Sequence, residues 1–212
     1  MTQQDPVVAV VDYGIGNLHS AHKALLSVGA NACLSDDPET IRRASAVVLP
    51  GVGNFGACMT ALRARGLEDP VLTAVSSGQP FLGICVGMQM LFDGSDESPE
   101  VSGLGVIPGR IERLPDGVKR PQMQWNQLEV LVDDPVLGTP DGEGEWMYFV
   151  HSYSARPADP SVIAATVNYG GPVVAVCRRE QVLATQFHPE KSSISGLAFL
   201  RRWVDQIGAL SA

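Results

Sequence analysis

The chain has 212 residues, 45% hydrophobic and 18% charged, with a formal net charge of −8. That length suits one domain with a substantial buried core, so residues 1–212 are read as a single unit. Lys and Arg are scattered without a basic stripe, which argues against nucleic acid as primary ligand, and no apolar run approaches the roughly 20 residues of a membrane-spanning helix.

The stretch Met1 to Pro6 is polar and lacks the cationic-then-apolar order of a secretory signal. The cysteines Cys33, Cys58, Cys85 and Cys177 form no C-x-x-C pair. Reduced thiols and a cytoplasmic location are expected, with three of the four acting as small buried hydrophobes.

Val7 to Asp12 (VVAVVD) reads as a buried strand ending in a glycine turn. Gly14-Ile15-Gly16 follows, but His19 stands where a dinucleotide fingerprint needs its third glycine, so no nucleotide cofactor is expected. Leu18, Ala21, Leu25 and Val28 share one face of a helix that Gly29 stops. His19 and His22 lie three apart on it without a third ligand nearby, so no metal is expected. Ala46 to Leu49 is a second strand, Phe55 to Arg65 a helix stopped by Gly66, Phe81 to Ile84 a third strand, and Val86 to Phe92 a helix.

Strands alternating with helices imply an α/β fold with an open, mostly parallel central sheet flanked by helices. The second half differs. Arg110–Arg113, Gln127–Val132, Trp146–Val150, Val162–Val167, Val173–Cys177 and Val182–Thr185 are short strand candidates between Gly and Pro turns. They predict antiparallel additions to that sheet or a small companion sheet. Ser95 to Ser102 and Pro140 to Glu145 read as polar loops, and Ser192 to Ile207 as a terminal helix with Leu197, Leu200, Val204 and Ile207 on one face.

Gly83-Ile84-Cys85-Val86-Gly87 has the form G-x-C-x-G between a strand and a helix. A nucleophile on so sharp a turn needs small residues two positions either side. The helix start favours a thiolate at Cys85 and leaves the Val86 N–H free to meet an oxyanion. A lone cysteine is more often a buried hydrophobe, so the reading gains weight from a second segment, His188-Pro189-Glu190, just past a strand. Proline favours an extended residue before it, and side chains two apart then face one way. Glu190 can therefore orient His188, and cysteine, base and acid make a triad.

These residues resemble the class I (triad) glutamine amidotransferases, whose signature is a cysteine elbow near mid-chain and H-P-E near the end. Asp12-Tyr13-Gly14-Ile15-Gly16-Asn17, Leu49-Pro50-Gly51-Val52-Gly53, Gly83 to Gln89, Phe149-Val150-His151-Ser152-Tyr153 and Phe187 to Ser192 carry the resemblance over nearly the whole chain. The closest pattern is that of the branch whose glutaminase pairs with a (β/α)8-barrel cyclase as a heterodimer. The resemblance implies a flavodoxin-like sheet, glutamine as substrate, no cofactor, and ammonia passed to the cyclase. It implies that Cys85 forms a thioester, that His188 protonates the leaving ammonia and later activates water, and that Glu190 holds His188. Gln89, Glu97, Ser152 and Tyr153 would contact the amino and carboxylate groups of glutamine, and Asn17, Trp125 and Lys191 would face the cyclase. Glu97 reads equally as a surface acid in an acidic stretch.

Glycines flanking Val52 would let its peptide turn at low cost and aim its N–H at the oxyanion, as a switch. The usual His-Met-Gly-Trp-Asn stretch is here Gln122-Met123-Gln124-Trp125-Asn126, a departure near the partner-facing loop. Two alternatives stay open: a triad subunit serving anthranilate, guanylate or vitamin B6 synthesis, and an idle binding module that only regulates a partner.

Overall fold

In the computed structural model the first half alternates as the patterns require. Its elements are β1 (Val7–Val11), α1 (Leu18–Ser27), β2 (Asn31–Ser35), α2 (Pro38–Arg43), β3 (Ala46–Gly51), α3 (Phe55–Ala64), α4 (Glu68–Ser76), β4 (Phe81–Cys85) and α5 (Val86–Met90). Shorter strands follow: β5 (Gly94–Ser95), β6 (Gly109–Arg113), β7 (Gln122–Gln127), β8 (Glu129–Val130), β9 (Trp146–His151) and β10 (Tyr153–Pro157). The chain closes with β11 (Ile163–Asn168), β12 (Pro172–Arg179), β13 (Val182–Thr185) and α6 (Ser193–Leu210). The structure describes residues 6–140 and 142–210; residues 1–5, which hold most of the polar N-terminal stretch, and Asp141 in the polar run 140–145 lie outside them.

The central sheet runs β2-β1-β3-β4-β13-β12-β11-β8. Its first five strands are mutually parallel, and β12, β11 and β8 then follow, each antiparallel to the strand beside it. β3, β4 and β13 are buried along their whole length, because helices or loops cover both faces, and so their sequences are unbroken apolar runs. The order in which strands are added switches sides between β1 and β3, where such sheets open a crevice at the carboxyl ends of their strands. A three-stranded sheet (β10-β6-β5) and a ribbon (β7-β9) stand beside it, so both expected forms of antiparallel addition occur.

Local chemistry sets the helix starts. Asp37 accepts the Thr40 N–H at 2.8 Å ahead of Pro38, and Asn54 accepts that of Ala57 at 3.0 Å, each filling a donor the helix cannot satisfy itself. Among the described residues no helix is long and apolar enough to cross a membrane.

Several expectations need correction. The strand over Gln127 to Val132 is displaced: pairing runs over Gln122–Gln127 and then Glu129–Val130, leaving Leu131 and Val132 exposed. Leu128 breaks the ladder because it is buried, its N–H tied to Glu145 O at 3.0 Å. The terminal helix begins at Ser193 after a 3-10 turn over Pro189–Lys191, and its buried stripe is Phe199, Leu200, Trp203 and Ile207. Leu197 is exposed and Val204 only partly buried, because the aromatic residues occupy the core side. Ser95 to Ser102 is not simply a polar loop: Ser95 pairs in β5, and both Ser95 and Ser98 are buried. Of the three cysteines expected to be core, Cys58 and Cys177 are buried and Cys33 is half-buried.

The antiparallel half is pinned by a buried ion pair. Asp134 Oδ2 meets Arg178 Nε at 2.7 Å, while Oδ1 accepts the Val136 and Leu137 N–H groups. Burial pushes the Asp134 pKa up, but the guanidinium and the two amides outweigh it and hold the carboxyl below its ordinary value. A lowered folded pKa means its stabilisation is complete at neutral pH and is lost as pH falls below about 4. Asp134→Asn should cost about 2 kcal/mol at pH 7 and flatten the acid limb of thermal stability, as melting curves from pH 7 to 3 would report.

Candidate active site

The carboxyl ends of β3, β4 and β13, with the turn between β9 and β10, enclose a cavity of about 310 Å³. It is lined by Val52, Cys85, Val86, Gln89, Glu97, Ser152, Tyr153, His188 and Lys191, together with Gly53, Pro121, Val150 and His151. Nine residues singled out in the sequence therefore meet in one place, though they come from segments far apart in the chain.

Cys85 ends β4 with φ 54° and ψ −109°, a conformation that side chains rarely adopt. The turn is that sharp because α5 lies against β3: a Cβ at Gly87 would sit 1.8 Å from Leu49 O. Of the small residues expected two positions either side of Cys85, Gly87 is thus required by contact with β3, while a Cβ at Gly83 would crowd Gly87 O at 3.1 Å. Gly51 is likewise needed for close approach, since a Cβ there would lie 2.7 Å from Gly87 N, while Gly53 takes a positive φ of 91°. Gln186, also buried, points its Nε2 at Cys85 Sγ from 3.8 Å.

His188 Nδ1 lies 2.8 Å from Glu190 Oε1, both side chains 2% exposed. A carboxylate oxygen only accepts, so Nδ1 carries the hydrogen and Nε2 is turned to its other neighbour, Cys85, within hydrogen-bonding reach. Burial pulls the His188 pKa down, but Cys85 and Glu190 together overcome it and raise it to about 9. The backbone of this segment is stapled to β9: His188 N–H donates to Tyr148 O at 3.1 Å, Tyr148 N–H to Ser192 Oγ at 2.9 Å, and Ser192 Oγ–H to His188 O at 2.7 Å.

The remaining residues take distinct positions. Gln89 is buried and donates to Tyr153 O at 3.2 Å and Gln186 Oε1 at 3.1 Å, tying α5 to the far wall. Glu97 is half-buried, its Oε2 accepting the Phe55 N–H at 2.7 Å, so it is a wall acid and not a free surface one. Lys191 is exposed at the cavity rim, whereas Asn17 and Trp125 lie off it. Asn17 precedes α1 without a side-chain cap, and Trp125 packs on Tyr148 with ring centroids 5.9 Å apart. Met123, Trp125 and Trp146 are exposed on one face of the β7-β9 ribbon, an outward apolar band.

Nothing in the sequence assigns a role at the site to Gln186, His151, Tyr13 or Cys58. Gln186 lies two before His188, a spacing that places it on the same side, and His151 sits inside a segment already noted. Tyr13 OH donates to Pro50 O at 2.7 Å and Cys58 Sγ–H to Val52 O at 3.4 Å, contacts that no local pattern reveals.

A model of the family "glutamine amidotransferase class-I" matches residues 9–206. The chain is 48% identical over 210 residues to imidazole glycerol phosphate synthase subunit HisH of Acaryochloris marina, covering 98% of each chain. It is 46% identical to the protein of that name from Methanothermobacter thermautotrophicus, covering 96% of this chain and 100% of the relative. In fold it is similar to a crystal structure of a glutamine amidotransferase, with TM-score 0.75 and 24% identity, covering 95% of this chain and 98% of that one. It is also similar to PurLQS from Thermotoga maritima, with TM-score 0.75 and 19% identity, covering 99% and 100%.

Because the folded pKa of His188 is raised from 6.5 to about 9, its ion-pair stabilisation is complete below pH 6.5 and is lost as pH rises through about 9. Cys85→Ala removes one of the two groups that raise it. The His188 ring resonances, followed by NMR titration, should then move to a lower pKa than in the parent chain, and the alkaline loss of stability should shift to lower pH.

Proposed function

The chain belongs to the glutamine amidotransferase class-I family, and from that membership we propose that it is the glutaminase subunit of an imidazole glycerol phosphate synthase. It hydrolyses glutamine to glutamate and ammonia for a cyclase subunit that makes imidazole glycerol phosphate and aminoimidazole carboxamide ribotide in histidine biosynthesis. The observation that carries the reading is the buried His188–Glu190 pair facing Cys85 across one cavity. Residues 1–212 act as one amidotransferase domain, a view that the match over 9–206 supports. A cytoplasmic location fits four free thiols.

Cys85 Sγ attacks the carboxamide carbon, its proton already held at His188 Nε2, as the raised His188 pKa requires. The C–O π electrons move to oxygen, where the N–H groups of Val86 and Val52 receive the charge. As the tetrahedral centre collapses, the C–N bond breaks, His188 returns the proton to nitrogen, and ammonia leaves a thioester. His188 then takes a proton from water, the oxygen attacks the thioester carbon, and the C–S bond breaks to give glutamate. Glu190 fixes the ring so that Nε2 faces the reaction throughout.

Gln89, Glu97, Ser152 and Tyr153 line the rest of the cavity, in reach of the amino and carboxylate ends of glutamine. Glu97 supplies the opposite charge to the ammonium group. The ribbon's apolar band with Trp125, the rim lysine Lys191 and the loop end at Asn17 form the cyclase-facing side. Gln122 and Gln124 alter the chemistry of that ribbon relative to the common pattern.

The Val52 switch gains support from two buried donors. Tyr13 holds Pro50 O and Cys58 holds Val52 O, which belong to the peptides on either side of Gly51–Val52. Those neighbours are anchored, so a turn of the Gly51–Val52 peptide need not disturb them.

Purified alone the chain should release glutamate slowly, and addition of the cyclase with its nucleotide substrate should stimulate it strongly, read by coupled glutamate assay. Substantial release unaffected by the cyclase would overturn the assignment. Cys85→Ala should abolish release in the complex, and Glu190→Gln should lower kcat by at least about a hundredfold with the fold intact by circular dichroism.

A further inference from the structure

His151, the last residue of β9, forms part of the cavity wall but has no part in the steps above. Its side chain is buried, 6% exposed. Nδ1 lies 2.8 Å from Tyr153 O. A carbonyl oxygen only accepts, so Nδ1 carries the ring hydrogen and Nε2 presents a lone pair. That Nε2 is buried and has no hydrogen-bond partner.

Two further observations say what belongs there. Burial pulls the His151 pKa down to about 4, with a contrary pull from the Tyr153 carbonyl and a further lowering from nearby His188. The ring is therefore neutral at physiological pH, and Nε2 stays an acceptor. Gln122 stands directly opposite His151 in the β7-β9 ladder, so the two side chains share one face. Gln122 Nε2 donates to Asn126 Oδ1 at 3.0 Å, and Asn126 Nδ2 in turn donates to Asn168 O. Those bonds fix Gln122 Oε1 as another buried acceptor, and it too has no partner. Gln122, behind the wall, therefore offers His151 Nε2 no hydrogen through Oε1, and Nε2 keeps a lone pair without a matching hydrogen beside the imidazole that handles the proton. What fits it is a neutral nitrogen bearing several hydrogens.

We propose that His151 Nε2 is the hydrogen-bond acceptor for the nitrogen that leaves glutamine, first as the carboxamide NH2 and then as ammonia held beside His188. The inference rests on the glutaminase reading and deepens it. No bond beyond those already described is made or broken. The carboxamide nitrogen brings two hydrogens of its own and receives a third from His188; one of the first two points at His151.

The leaving group supplies the test. Glutamate γ-methyl ester reacts at the same carbon, but its leaving oxygen carries no hydrogen until His188 gives one, so His151 has nothing to accept. With the full chain saturated by its cyclase partner, kcat/KM for glutamate release is measured on glutamine and on the ester, since this quantity reports the steps up to loss of the leaving group. His151→Asn keeps an N–H for Tyr153 O but places no atom at the Nε2 position, and His151→Gln places an amide oxygen near it. His151→Asn should lower kcat/KM about tenfold on glutamine and change it less than about twofold on the ester, with His151→Gln recovering most of the loss. Equal losses on both substrates would mark His151 as structural and overturn the proposal, as would no loss on glutamine. If the parent complex releases glutamate from neither substrate, the glutaminase reading itself has failed and this inference falls with it.

Discussion

Gly87 leaves no room for a side chain, because the first turn of α5 rests directly on the backbone of β3. That contact decides the geometry of everything around it. It brings Val52, at the end of one strand, and Val86, at the start of the next helix, to one cavity with Cys85 between them. It also forces the chain to turn within Cys85 itself. The glycines at 51 and 87 answer one requirement between them, since each faces backbone that a methyl group would strike, and at Gly83 a methyl would crowd Gly87 O at 3.1 Å. A side chain at 51 or 87 would separate Cys85 Sγ from the N–H groups beside it.

His188 arrives from the other half of the fold by register. β13 lies against β4 with Thr185 opposite Ile84, so the chain leaving β13 passes Cys85 at the first opportunity. Thr185 Oγ1–H turns back to Phe187 O at 3.1 Å, and Phe187 is gripped edge-on by Phe149 and Phe199. Tyr148 then joins this segment to the molecular surface. Its backbone binds His188 and Ser192, and its ring lies against exposed Trp125. The outward aromatic band is thus one residue away from the backbone of His188.

The sequence made visible what elementary patterning encodes. VVAVV, AVVLPG, FLGIC and VLAT are readable as strands because both sheet faces bury them, and G-x-C-x-G and H-P-E are readable because the chemistry permits few other residues. β2 and α2 escape notice because one is a partly exposed edge strand and the other has six residues. β7 is illegible for a different reason: Gln122 is its buried residue while Met123 and Trp125 face out, an inversion of the usual pattern. That inversion moved the expected strand several residues downstream. His151 could be seen in the sequence but not understood, since its meaning depends on which ring nitrogen is already occupied. Glu97 reads two ways in the sequence for a like reason, and only its bond to the Phe55 N–H separates a wall acid from a solvated one.

The backbone angles at Cys85 set two kinds of selection against each other. A φ of 54° with ψ −109° is glycine's territory, and holding another residue there costs on the order of 1–3 kcal/mol. Heat resistance alone would therefore favour glycine at the position where the proposed chemistry needs a thiol. A library sorted only for thermal survival or soluble yield will drift toward chains without the thiol at this site. Stabilisation of this protein has to be sought elsewhere in the chain, with an activity screen guarding position 85.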